Sequence, residues 1–140
     1  MPSPLENLCG PSQPLRAEAP DAKEFAGLRE SGLTRLADAE NKSISLAGRF
    51  DLVYNAAHAL ALAALRCAGY RSTNRYIVFQ VLPHTLGVGP EVWRVLARGH
   101  ELRNRGEYEG DLYADERLVT DMIAACKAVA AAVRKLPPIG

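Results

Sequence analysis

The polar residues best suited to chemistry are concentrated between Trp93 and Tyr113, in the segment WRVLARGHELRNRGEYEGDLY. Nine residues of this segment include five candidate side chains: His100, Arg103, Asn104, Glu107 and Tyr108. His100, Arg103 and Glu107 are separated by three and four residues, so they share a face if the segment forms one continuous helix. An imidazole and a guanidinium on one face can transfer a proton and stabilise a negative charge.

Tyr108 is placed differently. Five residues at roughly 100° each put it about 140° from Arg103 on a continuous helix. We expect Tyr108 to approach the other candidates only if the helix ends at Gly106 and the chain folds back.

These residues also have structural interpretations. Glu107 and Arg103 are spaced as an ordinary helical ion pair, which contributes a few tenths of a kcal/mol. Arg94, Arg98 and Arg105 form a stripe that suits either a solvated face or contact with a phosphate backbone.

The element expected to support a second pair of candidates is a central helix within residues 43–70, where apolar residues recur at spacings of three and four. Tyr54 and His58 are four residues apart on it, so they share a face. On so apolar a helix, His58 is either a hydrogen-bonded core residue or a functional one. Both interpretations remain open.

The remaining elements follow from periodicity, proline and capping residues. Residues 1–20 contain five of the nine prolines, which predicts an extended N-terminal arm, docked or disordered, that sustains no helix. A single domain is expected at 21–138. Helices are predicted at these positions: Asp21 to about Asn41, Asn74 to about Leu86 with a disturbance near Pro83, Pro90 to about Arg105, and about Asp115 to Leu136.

Composition restricts the class of protein. The chain has 17 basic and 16 acidic residues, so its net charge of +1 neither requires nor excludes nucleic acid. The three cysteines lack metal-ligand spacing and are expected to be buried free thiols. No motif for a metal, a phosphate loop or a nucleophile elbow is present, and we expect no cofactor. Without a signal peptide or membrane span, we expect a cytoplasmic protein.

Two segments carry a family resemblance: YNAAHALALAALRCAGYR in the central helix and ELRNRGEYEG in the later helix. Together they resemble the HEPN family, small helical proteins of prokaryotic toxin–antitoxin and defence systems. The likeness covers about residues 25–136. It implies an all-α, up-and-down bundle of four to five helices, and a homodimer in which the motif helices line a shared cleft.

The resemblance also implies site residues. In the ribonuclease members an Arg with a polar neighbour precedes a His, and RNA is cut without metal. Arg103 and Asn104 match the start of that motif, whereas the place of the His falls on Tyr108. An unperturbed tyrosine titrates near 10 and is a poor base at neutral pH, so His100 or His58 would have to supply the base.

We therefore expect RNA or nucleotide binding, with metal-independent ribonuclease activity as an open question. The predicted catalytic residues are Arg103, Asn104, Tyr108 and His100, and the predicted substrate-binding residues are Tyr54, His58, Arg98 and Glu107. Tyr108 is alternatively an acceptor for nucleotidylation by a partner nucleotidyltransferase. The competing function is a non-catalytic, homodimeric helical interaction protein.

Overall fold

A computed structural model describes residues 4–109 and 115–139, with side chains for all of these except 106–109. This part of the chain is mostly helical, as predicted, with one small two-stranded sheet. The helices are α1 (Pro4–Asn7), α2 (Ala22–Ala39), α3 (Leu46–Cys67), α4 (Ile77–Gln80), α5 (Leu82–Thr85), α6 (Pro90–Glu109) and α7 (Glu116–Arg134), and the strands are β1 (Leu15–Ala17) and β2 (Tyr70–Ser72).

The central helix is confirmed as α3. It begins after Ser45, whose hydroxyl accepts a hydrogen bond from the amide of Gly48 at 3.1 Å. Phe50, Val53 and Leu60 are fully buried along it. Helices α2, α6 and α7 all contact α3, so this helix holds the core together.

Helix α2 begins where the sequence predicts. The Asp21 carboxylate accepts hydrogen bonds from the amides of Lys23 and Glu24, which makes it the N-cap. The helix then packs along α3 at close range. A Cβ added to Gly32 would lie 2.6 Å from the Leu60 side chain, so the glycine permits this approach.

The segment after β2 is helical, as predicted from its context. It divides into α4 and α5 at Val81, just before Pro83, which occupies the first turn of α5. The prediction for α6 was too short, because the helix continues through Gly106 to Glu109. Gly106 therefore does not end it.

The N-terminal arm differs from the expected extended chain. It contains the single helical turn α1, in which Pro4 takes the first position, where its missing N–H costs nothing. Strand β1 pairs antiparallel with β2, with Leu15 opposite Ser72 and Ala17 opposite Tyr70. Leu5 and Leu15 are 7% and 0% exposed and belong to the same core as α3. The arm is thus docked on the body.

Arg66, near the end of α3, binds this arm through hydrogen bonds. Its guanidinium donates hydrogen bonds to the carbonyl oxygens of Glu18 at 3.0 Å, Ala19 at 2.7 Å and Tyr70 at 3.2 Å. It also pairs with the Glu24 carboxylate on α2. One buried side chain therefore joins the arm, α2 and β2.

Each cysteine of the chain is a free thiol. Cys126 is buried, as predicted, and burial raises its pKa to about 12, whereas Cys9 and Cys67 are only half-buried. Within the described residues, no helix has both the length and the hydropathy that crossing a bilayer requires.

Candidate functional site

The structure gathers five of the predicted site residues at the place where α3, α4 and α6 meet. Tyr54 and His58 lie on α3, and His100, Arg103 and Asn104 lie on α6. Tyr76 and Phe79 complete the group from the N-terminus of α4. We call these seven residues the histidine cluster.

His100 is held by hydrogen bonds at both ring nitrogens. Its Nδ1 lies 2.9 Å from the Tyr54 hydroxyl, and its Nε2 lies 3.1 Å from the Asn104 side-chain nitrogen. Because an amide NH₂ can only donate, Nε2 accepts in this arrangement, and Nδ1 carries the proton and donates to the Tyr54 oxygen. The imidazole is therefore a neutral tautomer with a fixed orientation.

Aromatic rings surround the two histidines. The Tyr54 ring lies between them, with centroids 6.5 Å from His58 and 6.0 Å from His100 and interplanar angles of 25° in both cases. Phe79 lies 6.1 Å from each histidine ring, and Tyr76 lies 5.2 Å from His100. Tyr54 and Phe79 are fully buried, so the inner side of the cluster is shielded from solvent.

Arg103 packs its guanidinium on the face of Tyr54, with 4.8 Å between the guanidinium carbon and the ring centroid. This is a cation–π contact, which is stronger at a partly desolvated site than in water. Tyr54 is fully buried and Arg103 is half-buried. The contact therefore places a positive charge at the edge of the cluster.

Both histidines of the cluster are neutral at pH 7. Burial is the main cause that lowers the pKa of His58 to about 4, and the positive charges of Arg75 and Arg103, with His100, lower it further. Burial also lowers the pKa of His100, again assisted by Arg103 and Arg75 and opposed by Glu101. Arg75 is exposed, in the connection between β2 and α4.

Both ring nitrogens of His58 are available to a ligand. Within the described part of the chain, no side chain or backbone group hydrogen-bonds the imidazole of His58, which makes only ring contacts there. His58 is half-buried, so part of it meets solvent. It is thus the histidine that an incoming molecule can reach.

The other predicted site residues lie elsewhere or outside the described side chains. Arg98 is exposed and lines a groove of about 580 Å³ between α6 and α7, away from the histidine cluster. The groove also contains Leu102, Arg105, Arg117 and Asp121. The side chains of Glu107 and Tyr108 are outside the described part, so their predicted roles and the Arg103–Glu107 ion pair remain predictions.

Sequence reasoning did not place Tyr76, Phe79 or Arg75 at the site. The segment that contains Tyr76 and Phe79 was expected to be a buried helix, but periodicity gives no information about which helix it faces. Within residues 4–109 and 115–139, no three His, Cys, Asp or Glu residues come together as metal ligands.

Comparisons of the chain with protein-family models, curated proteins and solved structures gave no match. The proposed function therefore rests on the geometry of the histidine cluster and on the family resemblance of the two segments.

Proposed function

We propose that this chain is a HEPN-like protein of a toxin–antitoxin or defence system, and that it binds RNA or a nucleotide at the histidine cluster. The observation that carries the proposal is the Arg103 guanidinium, which is held on Tyr54 beside two neutral histidines. Arg103, Asn104 and the two histidines lie together in the cluster, and this arrangement supports the proposal.

The charges around the cluster favour a phosphate. Arg103 and Arg75 both act on the two histidines, and within the described part of the chain Glu101 opposes them at His100. Guanidinium groups bind phosphate oxygens through paired, charge-assisted hydrogen bonds. A phosphate at the solvent edge of the cluster would lie within the field of both guanidinium groups.

The same groups suit cleavage of RNA without metal. In this mechanism neutral His58 accepts the proton of the ribose 2′-hydroxyl, the 2′ oxygen forms a bond to phosphorus, and the bond from phosphorus to the 5′ oxygen breaks. Arg103 stabilises the negative charge that develops on the phosphate. Water supplies a proton to the leaving 5′ oxygen.

The proposed partners follow from the family resemblance. A second copy of the chain would bring two α6 helices together around a shared cleft, and a nucleotidyltransferase would modify Tyr108. Incubation with a candidate transferase and ATP should add one or more nucleotides to the wild-type mass and none to the mass of a Tyr108→Phe variant. An unchanged wild-type mass would remove this partner from the proposal.

The test of the proposed function is binding and cleavage of a mixed RNA pool in EDTA. Arg103→Ala should abolish both activities, whereas Arg98→Ala, an exposed arginine on the other side of α6, should retain them. Equal loss in both variants would mean that general surface charge binds the RNA.

The alternative is a non-catalytic, homodimeric interaction protein. It is favoured by the burial of Tyr54 and by the full hydrogen bonding of His100, which are also features of a structural core. In that case the wild-type protein should neither bind nor cleave RNA. Arg103→Ala should then weaken the dimer, which sedimentation of the two proteins would show.

A further inference from the structure

The two histidines of the cluster have different capacities to take up a proton. His100 uses both ring nitrogens in hydrogen bonds to Tyr54 and Asn104, so protonation of its Nε2 would break the bond from Asn104. His58 has no such bond within the described part of the chain, and its ring is half-buried. Adding a proton to His58 therefore breaks no hydrogen bond.

Among the described residues, the charged groups that act on His58 are cationic. Arg75 acts on it from the connection before α4, and Arg103 and His100 act from α6. Its own helix contributes the neutral ring of Tyr54, and α4 contributes Phe79. An anion bound beside His58 would favour the protonated form of its imidazole.

We propose that at pH 5 to 6 His58 takes up a proton when a phosphate group binds at the histidine cluster, and that the protonated imidazole donates a hydrogen bond to a phosphate oxygen. At pH 7 and above the imidazole stays neutral and can accept the proton of the ribose 2′-hydroxyl. The proposal rests on the proposed function, because it takes the phosphate of RNA or a nucleotide as the ligand. His58 is thus the residue that makes phosphate affinity depend on pH.

The direction of the effect follows from linkage. A bound phosphate stabilises the protonated form of His58 and raises its pKa from about 4 toward the usual range of histidine. Phosphate affinity should then increase as the pH falls from 7.5 to 5. For one linked proton the increase is at most about tenfold per pH unit.

A short oligouridylate is the suitable probe, since neither its bases nor its backbone phosphates titrate in this range. Calorimetric titrations at each pH, in two buffers that differ in ionisation enthalpy, measure both the affinity and the number of protons taken up. The wild-type protein should take up protons at pH 5 to 6 and bind several-fold more tightly at pH 5 than at pH 7.5.

Two variants identify the group. His58→Gln should bind with an affinity that is nearly independent of pH and should take up no proton. His84→Gln changes an exposed histidine on α5 and should behave like the wild type. Circular dichroism confirms that each variant is folded.

The outcomes separate the two proposals. Binding by the wild type without proton uptake would overturn the role of His58 and leave the proposed function intact. Proton uptake that persists in His58→Gln would assign it to another group and overturn the role as well. Failure of the wild type to bind at any pH would overturn both proposals.

Discussion

Arg66 is a buried charged residue that links the N-terminal arm, α2 and β2. It is 1% exposed, and its guanidinium bonds to the carbonyl oxygens of Glu18, Ala19 and Tyr70 and to the Glu24 carboxylate. Removing one partner of a buried charged network leaves the others without hydrogen bonds. This makes Arg66 a structural residue that lies apart from the histidine cluster.

We predict that Arg66→Ala lowers the free energy of unfolding by about 3 kcal/mol, because the hydrogen bonds and the ion pair of its buried guanidinium are lost. Arg35→Ala is the matched control, since Arg35 is exposed and bonds only to Ser31 on its own helix. It should change stability by less than about 0.5 kcal/mol. Urea denaturation measures the free energy of unfolding of both variants. Equal effects would refute the stabilising role of the Arg66 hydrogen bonds.

His58 should make stability depend on pH in the free protein. Its folded-state pKa of about 4 lies below the ordinary value, so the unfolded chain binds the proton more tightly and stability falls as the pH decreases toward 4. We predict that lowering the pH from 7.5 to 5 costs about 2 kcal/mol through this residue.

Denaturation of His58→Gln at the two pH values measures this contribution. The variant should lose less stability than the wild type over this range, although His100, whose pKa is lowered too, keeps part of the dependence. His84→Gln should follow the wild-type curve. Identical slopes for the wild type and His58→Gln would contradict the assignment.

The sequence predicted which residues of one helix share a face, but it did not predict the contacts between residues of different helices. The spacing of Tyr54 from His58, and of His100 from Arg103, follows from helical geometry and was predictable. The contact between Tyr54 and His100 joins residues 46 positions apart, and no local pattern encodes it.

Among the elements, α2 approaches α3 closely in the neighbourhood of a glycine, Gly32. A Cβ at Gly32 would lie 2.6 Å from Leu60 and 3.2 Å from the Ala56 carbonyl oxygen, whereas a Cβ at Gly27 on the same helix would meet nothing within 4 Å. Substitution of Gly27 therefore tests helix propensity alone, whereas substitution of Gly32 also tests packing against α3.

We predict opposite effects for the same substitution at these positions. Gly27→Ala should raise the free energy of unfolding by up to about 1 kcal/mol through helix propensity. Gly32→Ala should lower it by about 1 to 2 kcal/mol, because overpacking against α3 exceeds the same gain. Thermal unfolding of both variants decides the matter, and stabilisation by Gly32→Ala would mean that α2 and α3 are less tightly packed.

The long helices were predictable because each has apolar periodicity and a capping or breaking residue, such as Asp21 for α2 and Asp115 for α7. Strands β1 and β2 were not. They are three residues each and pair across more than fifty positions of the chain, so tertiary contact rather than propensity determines them.

For the molecule as a whole, the N-terminal arm is part of the core. Leu15 is fully buried, so Leu15→Ala should cost about 2 to 4 kcal/mol in a single cooperative unfolding transition. Arg16→Ala, at the exposed neighbour on β1, should be nearly neutral. If Leu15→Ala left the main transition unchanged, the arm would unfold independently of the body.

The location of ligand binding distinguishes the histidine cluster from the arginine-lined groove between α6 and α7. The most direct measurement is a nitrogen-15 NMR titration of the histidine and arginine side chains with oligouridylate. We predict shifts of the His58 ring and the Arg103 guanidinium, with Arg98 and Arg117 unchanged. Shifts of Arg98 and Arg117 while His58 stays unchanged would contradict this prediction.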